Sequence, residues 1–361
     1  MKRVLFLVNH DIVIYNFRKE LVERLLKEGY EVIISSPYGE RIELLEKLGC
    51  KFIEVKLDRH GKSIRKEIQL LAYYKRIISE VKPTIVFSYT IKPNLYGAIA
   101  ASSRKVPCVV NITGLGTAVE NSGFLQKLIF GLYKFAFRKV QTVFVQNTEN
   151  KQFFLNHKIA VDKLKLLPGS GVNLEQFNVL QYPDDEKIEF VFISRIMKEK
   201  GIDQYLETAK YIRKKYPQTR FHICGFCEEE YEAILKTYEE EEIIVYHGLI
   251  MDTREVLAYT HCTIHPSYYP EGMSNVLLES AASGRPIITT DRSGCREIVD
   301  DGINGYMIPK KDTQSLIKVT EKFILLSNED KKIMGLAGRK KVEEQFDRNI
   351  VINAYMKEIT C

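Results

Sequence analysis

The sequence predicts an α/β protein built from two parallel-sheet domains that face each other across a cleft. Short apolar runs alternate with stretches of helical periodicity from Val4 onward. The alternation restarts after a polar strip, Gln181–Lys187, which reads as a linker. A chain of 361 residues is long enough for two domains of ordinary size. Parallel strands joined by helices are covered on both faces, and ligands gather at their carboxyl ends. The expected boundaries are 1–182 and 183–347, followed by a last helix, 348–361, that returns to the first domain.

In the first half, Val4–Val8 is apolar throughout and reads as a buried strand. Asn16–Glu28 places Phe17, Leu21, Val22, Leu25 and Leu26 at helical spacing and stops at Gly29. Strands follow at Glu31–Ser35, Phe52–Val55, Thr84–Ser88, Cys108–Ile112, Thr142–Gln146 and Leu164–Leu167, with helices at Arg41–Leu48, Ile64–Val81 and Asn94–Ser103. Gly123–Val140 is the most apolar helix candidate, with Phe124, Leu125, Leu128, Ile129, Leu132, Phe135 and Ala136 on a wide face and Lys127, Lys134, Arg138 and Lys139 on the rest. That composition fits an interfacial helix, and equally one packed between sheet and solvent.

The second half alternates in the same way. Strands are expected at Phe190–Ile193, Arg220–Cys224, Ile243–Tyr246, Cys262–His265, Pro286–Thr290 and Tyr306–Ile308. Helices are expected at Ile202–Lys215, Glu228–Thr237, Thr253–Tyr259 and Asn275–Ser283, and from Thr313, Asn328 and Arg348.

Composition narrows the function. No run approaches the length of a membrane span, and the start, MKRVLFLVNHD, makes a poor signal peptide. The seven cysteines show no disulfide or zinc spacing, which fits a reducing cytoplasm. Cys224 and Cys227 form CGFC, but the other signals of a redox site are missing. The net charge of +6 is uneven: residues 1–180 hold 28 Lys/Arg against 16 Asp/Glu, a balance of +12, and the rest hold 25 against 31, a balance of −6. A basic first half suits anionic lipid, a phosphorylated acceptor or a merely solvated surface; no nucleic-acid reading motif accompanies it. The basic run Arg59, His60, Lys62, Arg65 and Lys66 is a second candidate contact for phosphate or lipid.

The most informative stretch is IHPSYYPEGMSNVLLESAASGRP, Ile264 to Pro286. It reads as a strand end, a proline-braced loop and a helix start, with Ser274 or Asn275 as cap. A helix start offers backbone N–H groups and a positive dipole end, which suit a phosphate. Glu271 and Glu279 bracket it, and eight helical steps span about 12 Å. That is about the length of a nucleotide diphosphate sugar from hexose to ribose, although ordinary solvated acids have the same spacing.

Arg195 and Lys200 in SRIMKEKG place two cations at another strand end, where they suit a diphosphate leaving group. No Asp-x-Asp motif occurs and the histidines do not cluster at metal spacing, so metal-independent chemistry with no cofactor is expected. The loop NITGLGT lacks the GxGxxG pattern, which disfavours a nicotinamide enzyme. In the first half the strand ends carry Asn9, His10, Thr90 and Gly114, with Gly171 after the last strand.

Together these residues resemble the retaining glycosyltransferases of family four, the glycosyl transferases group 1. The resemblance rests on Arg195-x4-Lys200, Gly225, the His247-Gly248-Leu249 turn, HPSYYPEG, Glu271-x7-Glu279 and the run Gly284 to Pro309. It covers residues 188–345. NHDIVIYNFR, SYTIKPNLYG, NITGLG, QNTEN and PGSGVNLEQF resemble the bacterial subfamily that extends undecaprenyl-diphosphate-linked sugars in capsule, O-antigen and glycoprotein glycan synthesis.

The resemblance implies a GT-B fold of two Rossmann-like domains, the first for the acceptor and the second for a nucleotide sugar, UDP-linked by expectation. It implies that Glu271 binds donor sugar hydroxyls and that the N–H groups of Gly272, Met273 and Ser274 meet the distal phosphate. Glu279 would hold the ribose, Arg195 and Lys200 the departing diphosphate, and Gly225 and Leu249 would admit the base. Asn9, His10, Thr90, Gly114 and Gly171 are the candidates for the acceptor or sugar side. The enzyme would be cytoplasmic and peripheral on the membrane. Many relatives carry a Gly-Gly loop after the first strand and a histidine after the fourth. Here Asn9-His10-Asp11 and Ser88-Tyr89-Thr90 stand instead, so no catalytic histidine is assigned.

Overall fold

A computed structural model describes residues 2–56, 63–114, 124–184, 186–228 and 230–360, with 124–128 given as backbone only. Arg59, His60 and Lys62 of the basic run, and the second part of the NITGLGT loop, lie outside the described residues.

The chain divides into two compact units, Met1–Ser170 with Asn349–Cys361, and Gly171–Arg348. The first unit holds a seven-stranded sheet in the order β3-β2-β1-β4-β5-β6-β7. These strands are β1 (Arg3–Leu7), β2 (Glu31–Ser36), β3 (Lys51–Glu54), β4 (Ile85–Tyr89), β5 (Cys108–Ile112), β6 (Thr142–Val145) and β7 (Leu164–Leu166). Every neighbouring pair is parallel. β1, β4 and β5 are nearly continuous apolar runs because helices cover both of their faces, and Val4, Phe6, Phe87 and Val110 are fully buried.

The helix Arg348–Thr360 completes this unit. Its Tyr355 hydroxyl accepts from Asn111 Nδ2 at 2.7 Å, and Glu358 accepts from the Thr142 hydroxyl at 2.7 Å.

The second unit has a six-stranded sheet in the order β10-β9-β8-β11-β12-β13. Its strands are β8 (Ile188–Ile193), β9 (Thr219–Cys224), β10 (Val245–Tyr246), β11 (Cys262–His265), β12 (Ile287–Thr290) and β13 (Gly305–Ile308), again all parallel. The polar strip after Gln181 belongs to this unit's packing. The Tyr182 hydroxyl donates to His261 O at 2.9 Å, and Pro183 O accepts from Asn328 Nδ2 at 2.9 Å.

Element starts differ from expectation where side chains cap or bend the backbone. The first helix runs Asp11–Lys27 rather than from Asn16, because His10 Nδ1 accepts from Ile12 N at 3.3 Å and Asp11 supplies an acid to the first turn. The expected helix Asn94–Ser103 opens with a wide π turn, Pro93–Gly97, before its α-helical part, Ala98–Ser103. The apolar segment near residue 130 is a helix, Phe124–Ala136, that shows two faces. Tyr133 and Ala136 are buried against the sheet, whereas Leu132 and Phe135 are exposed.

Candidate functional site

In the second unit, loops at the strand carboxyl ends lock to one another in sheet order. After β8, Ser194 N donates to Cys224 O at 3.0 Å and Ile196 N to Phe226 O at 2.8 Å. Gly225 follows β9 with φ +145°, and a Cβ there would lie 1.8 Å from Ser194 O. Its own N–H donates to Gly248 O, 2.7 Å away in the turn after β10. Gly201, at φ +81°, abuts Pro266 O, where a Cβ would come within 2.3 Å, and Tyr268 N donates to Glu199 O at 2.9 Å. The loop after β12 closes the row: Gly294 packs on the Glu271 and Gly272 carbonyls and accepts from Ser274 N at 2.8 Å. Glycine is required at Gly225 and Gly201 by close approach as much as by positive φ.

This lacing sets the charged side chains. Lys200 is buried and its ammonium contacts the Glu271 carboxylate. Burial and the nearby Arg195 guanidinium pull its pKa down to about 8. Arg195 Nη1 donates to both Glu228 oxygens, at 2.7 and 2.8 Å. Burial works against the Arg195 charge, but Glu228 more than offsets it and leaves the pKa raised. Both cations lie over the Tyr269 ring, with centroid distances of 5.2 Å for Arg195 and 4.9 Å for Lys200. The arrangement therefore holds two positive groups on one aromatic plate, each with an acid that it can exchange for another anion.

Glu279 sits in the helix Asn275–Ala282 and accepts from the Thr253 hydroxyl at 2.9 Å. Burial pushes its carboxyl up to about 7, against the opposing pull of Thr253 and Arg348. Leu249 is 65% exposed after β10, an apolar surface beside the turn. Beside it, His247 Nε2 lies 2.9 Å from His222 Nδ1, and His222 Nε2 lies 2.7 Å from Glu189.

One expectation for the helix start changes. The Ser274 amide is engaged by Gly294, so it is not open to a phosphate as the sequence suggested. The Met273 side chain packs in the core with Leu277 and Ile298, whereas the expectation concerned its N–H group. Glu228, Tyr269 and Thr253 were missed. Tyr269 lies within HPSYYPEG and was within reach of sequence reasoning, whereas Glu228 sits in a run of acids that reads as solvated surface. Burial drives the Cys224 thiol up to about 12, which makes CGFC a poor thiolate site.

The first unit places Asn9 and His10 at the carboxyl end of β1 and Thr90 at that of β4. His10 contacts the buried Asp11, whose Oδ2 accepts from Arg41 N at 2.8 Å. Thr90 has φ +67°, rare for a β-branched residue and a form of strain that clusters at functional sites. A cavity of about 710 Å³ opens at the ends of β2 and β3, lined by Tyr38, Glu54, Lys56, Lys66, Glu67 and Lys92 among others, with Lys92 paired to Glu67. Gly114, at φ +154°, is the last described residue of its loop. Gly171 belongs to the second unit, where a Cβ would lie 2.6 Å from Arg348 Cα, so backbone packing accounts for it.

Comparison with known proteins matches both halves. Residues 3–147 fit the family described as glycosyl transferase 4-like, and residues 175–341 fit glycosyl transferases group 1. The chain is a glycosyltransferase with a group 1 domain in its second half. The enzyme therefore falls in the hexosyltransferase class.

This glycosyltransferase is 26% identical over 374 residues to N,N'-diacetylbacillosaminyl-diphospho-undecaprenol alpha-1,3-N-acetylgalactosaminyltransferase of Campylobacter jejuni, covering 98% of this chain and 97% of that one. It is 24% identical over 363 residues to the capsular polysaccharide biosynthesis glycosyltransferase CapM of Staphylococcus aureus, covering 93% of each. Among solved structures, Anabaena Alr3699/HepE in complex with UDP and glucose superposes with a TM-score of 0.80 at 16% identity over 99% of both chains. That likeness shows the GT-B fold of two parallel-sheet domains.

Proposed function

We propose that this glycosyltransferase moves a hexose or N-acetylhexosamine from a UDP-sugar to a polyprenyl-diphosphate-linked saccharide in capsule, O-antigen or glycoprotein glycan synthesis. The observation that carries the reading is the buried Lys200 ammonium on Glu271, beside Arg195 and over Tyr269. A buried cation that already holds a carboxylate is prepared to exchange it for a diphosphate. Lys200 and Arg195 then take up the negative charge that grows as the glycosidic bond breaks. Glu271, released from Lys200, accepts from hexose hydroxyls, and Glu279 accepts from the ribose. Gly225 and Leu249 leave room for the base.

The proposed reaction retains configuration. The leaving phosphate assists the incoming hydroxyl on the same sugar face, so no pair of nucleophilic carboxylates is needed. It uses no metal ion, because the two cations do that work. Support for the substrates comes from relatives: the Campylobacter jejuni enzyme is named for a diphospho-undecaprenol acceptor, CapM for capsule synthesis, and HepE was solved with UDP and glucose. On the acceptor side, Asn9, His10 and Thr90 follow β1 and β4, and the cavity of this unit, with lysine, tyrosine, glutamine and glutamate side chains in its lining, suits the hydroxyl groups of a saccharide.

Association with the inner face of the cell membrane belongs to the same reading. Among the described residues no helix is long and apolar enough to cross a membrane. Exposed Leu132 and Phe135 alternate with exposed Lys134, Arg138 and Lys139, a pattern that suits an anionic surface.

The test is UDP release from a panel of UDP-sugars, with and without a polyprenyl-diphosphate-linked N-acetylhexosamine. Release that requires the acceptor supports the proposal. Product formed without acceptor points instead to an epimerase, and binding to vesicles without any nucleotide binding points to a scaffold.

A further inference from the structure

We infer that His265 is a positioning residue that takes over Glu271 when Lys200 leaves it for the donor diphosphate. The inference rests on the donor reading above. His265 ends β11, and its backbone is fixed by the Thr289 hydroxyl, which donates to His265 O at 2.7 Å. Its side chain is 2% exposed and stacks near Phe192. Among the described residues neither ring nitrogen has a hydrogen-bond partner. Such a vacancy is costly inside a protein, since buried polar groups are nearly always paired.

The geometry shows what would fill it. His265 Nε2 lies 3.9 Å from Glu271 Oε1, beyond hydrogen-bond reach, while the Lys200 ammonium occupies that same oxygen. Burial, together with the Lys200 charge, holds the imidazole neutral, with a pKa of about 3. A neutral imidazole carries one N–H donor, and the Nε2–H tautomer aims it at Glu271. The donor-free site therefore stores one unsatisfied donor behind a carboxylate that is held by a cation. When Lys200 turns to the diphosphate, a shift of about 1 Å brings Nε2 into range of Oε1. His265 then keeps Glu271 aimed at the hexose, and the cost of its unpaired N–H is recovered only with donor in place. Binding of the sugar and release of Lys200 are thereby coupled.

The test compares UDP, which lacks the hexose, with UDP-glucose, UDP-N-acetylglucosamine and UDP-N-acetylgalactosamine on the full chain by calorimetry. His265→Leu should weaken the preferred UDP-sugar by about tenfold, the loss of roughly one buried hydrogen bond, and leave UDP affinity unchanged. His265→Gln, which keeps a donor, should recover most of that loss, and kcat/KM should follow the same order. Melting curves monitor folding, and His265→Met serves as a second apolar variant if His265→Leu melts early. Equal UDP-sugar binding by wild type and both apolar variants overturns the inference. So does an equal loss in the Leu, Met and Gln variants, which would mark packing alone. A wild-type chain that binds neither UDP nor any UDP-sugar refutes the donor reading itself, before any variant is compared.

Discussion

Glu279 shows how one side chain ties protonation to stability. Burial raises its carboxyl from the ordinary 4.5 to about 7. The folded chain therefore holds a proton through a pH range in which the unfolded chain has lost it. Its contribution to stability is complete below pH 4.5 and is lost as pH rises through about 7. Glu279→Gln removes this dependence, so the wild type should lose ground to the variant in urea melts between pH 5 and 8; a constant difference contradicts the assignment. In the proposed reading ribose hydroxyls donate to the charged form, so UDP should bind more tightly as pH rises through 7, with proton release seen by calorimetry in two buffers. The Gln variant should show neither. As candidates, Glu271 and Glu279 stand out in the sequence by their spacing around a helix start. Their contacts do not, because Lys200 and Thr253 meet them only through the fold.

The row of loops at the strand ends makes a sharper prediction about glycine. Gly225 and Gly248 both have positive φ, but only Gly225 meets backbone, whereas nothing lies within 4 Å of a Cβ at Gly248. Gly248→Ala should cost about 1–2 kcal/mol, the left-handed backbone penalty alone. Gly225→Ala must also push Ser194 aside, so it should cost several kcal/mol and disturb the loop that carries Arg195. Urea unfolding decides this, and equal costs would mean that the loops are not locked as described. Strands were readable because both-face burial leaves unbroken apolar runs, as in Val4–Val8. Periodicity alone starts the first helix at Asn16, and the cap at His10 carries it back to Asp11. The Ser274 amide was misjudged because its acceptor, Gly294, lies in a different loop.

For the molecule as a whole, charge divides with sequence: the first 180 residues carry +12 and the remainder −6. Co-sedimentation with phosphatidylglycerol vesicles should be strong at low salt and fall steeply toward 0.5 M, because exposed charges are screened within about a nanometre at 0.1 M. Replacing Leu132 and Phe135 by Ser should weaken binding to the same vesicles. Equal binding to neutral vesicles at any salt would contradict an electrostatic membrane face. The two-sheet architecture is legible from the repeated alternation. The seam between the compact units was less so: composition marks Gln181–Lys187, whereas packing places the change at Ser170 and Gly171.

The central claim is that Lys200 and Arg195 absorb the charge freed when the donor breaks. Its most direct measurement is kcat for acceptor-dependent UDP release by wild type and Lys200→Ala, each with excess chelator. The account predicts full wild-type turnover under chelation and a loss of about 10²–10³ in kcat for the variant, with the wild-type melting curve retained. Turnover abolished by chelation and restored by magnesium or manganese, or a Lys200→Ala enzyme as fast as wild type, would contradict it.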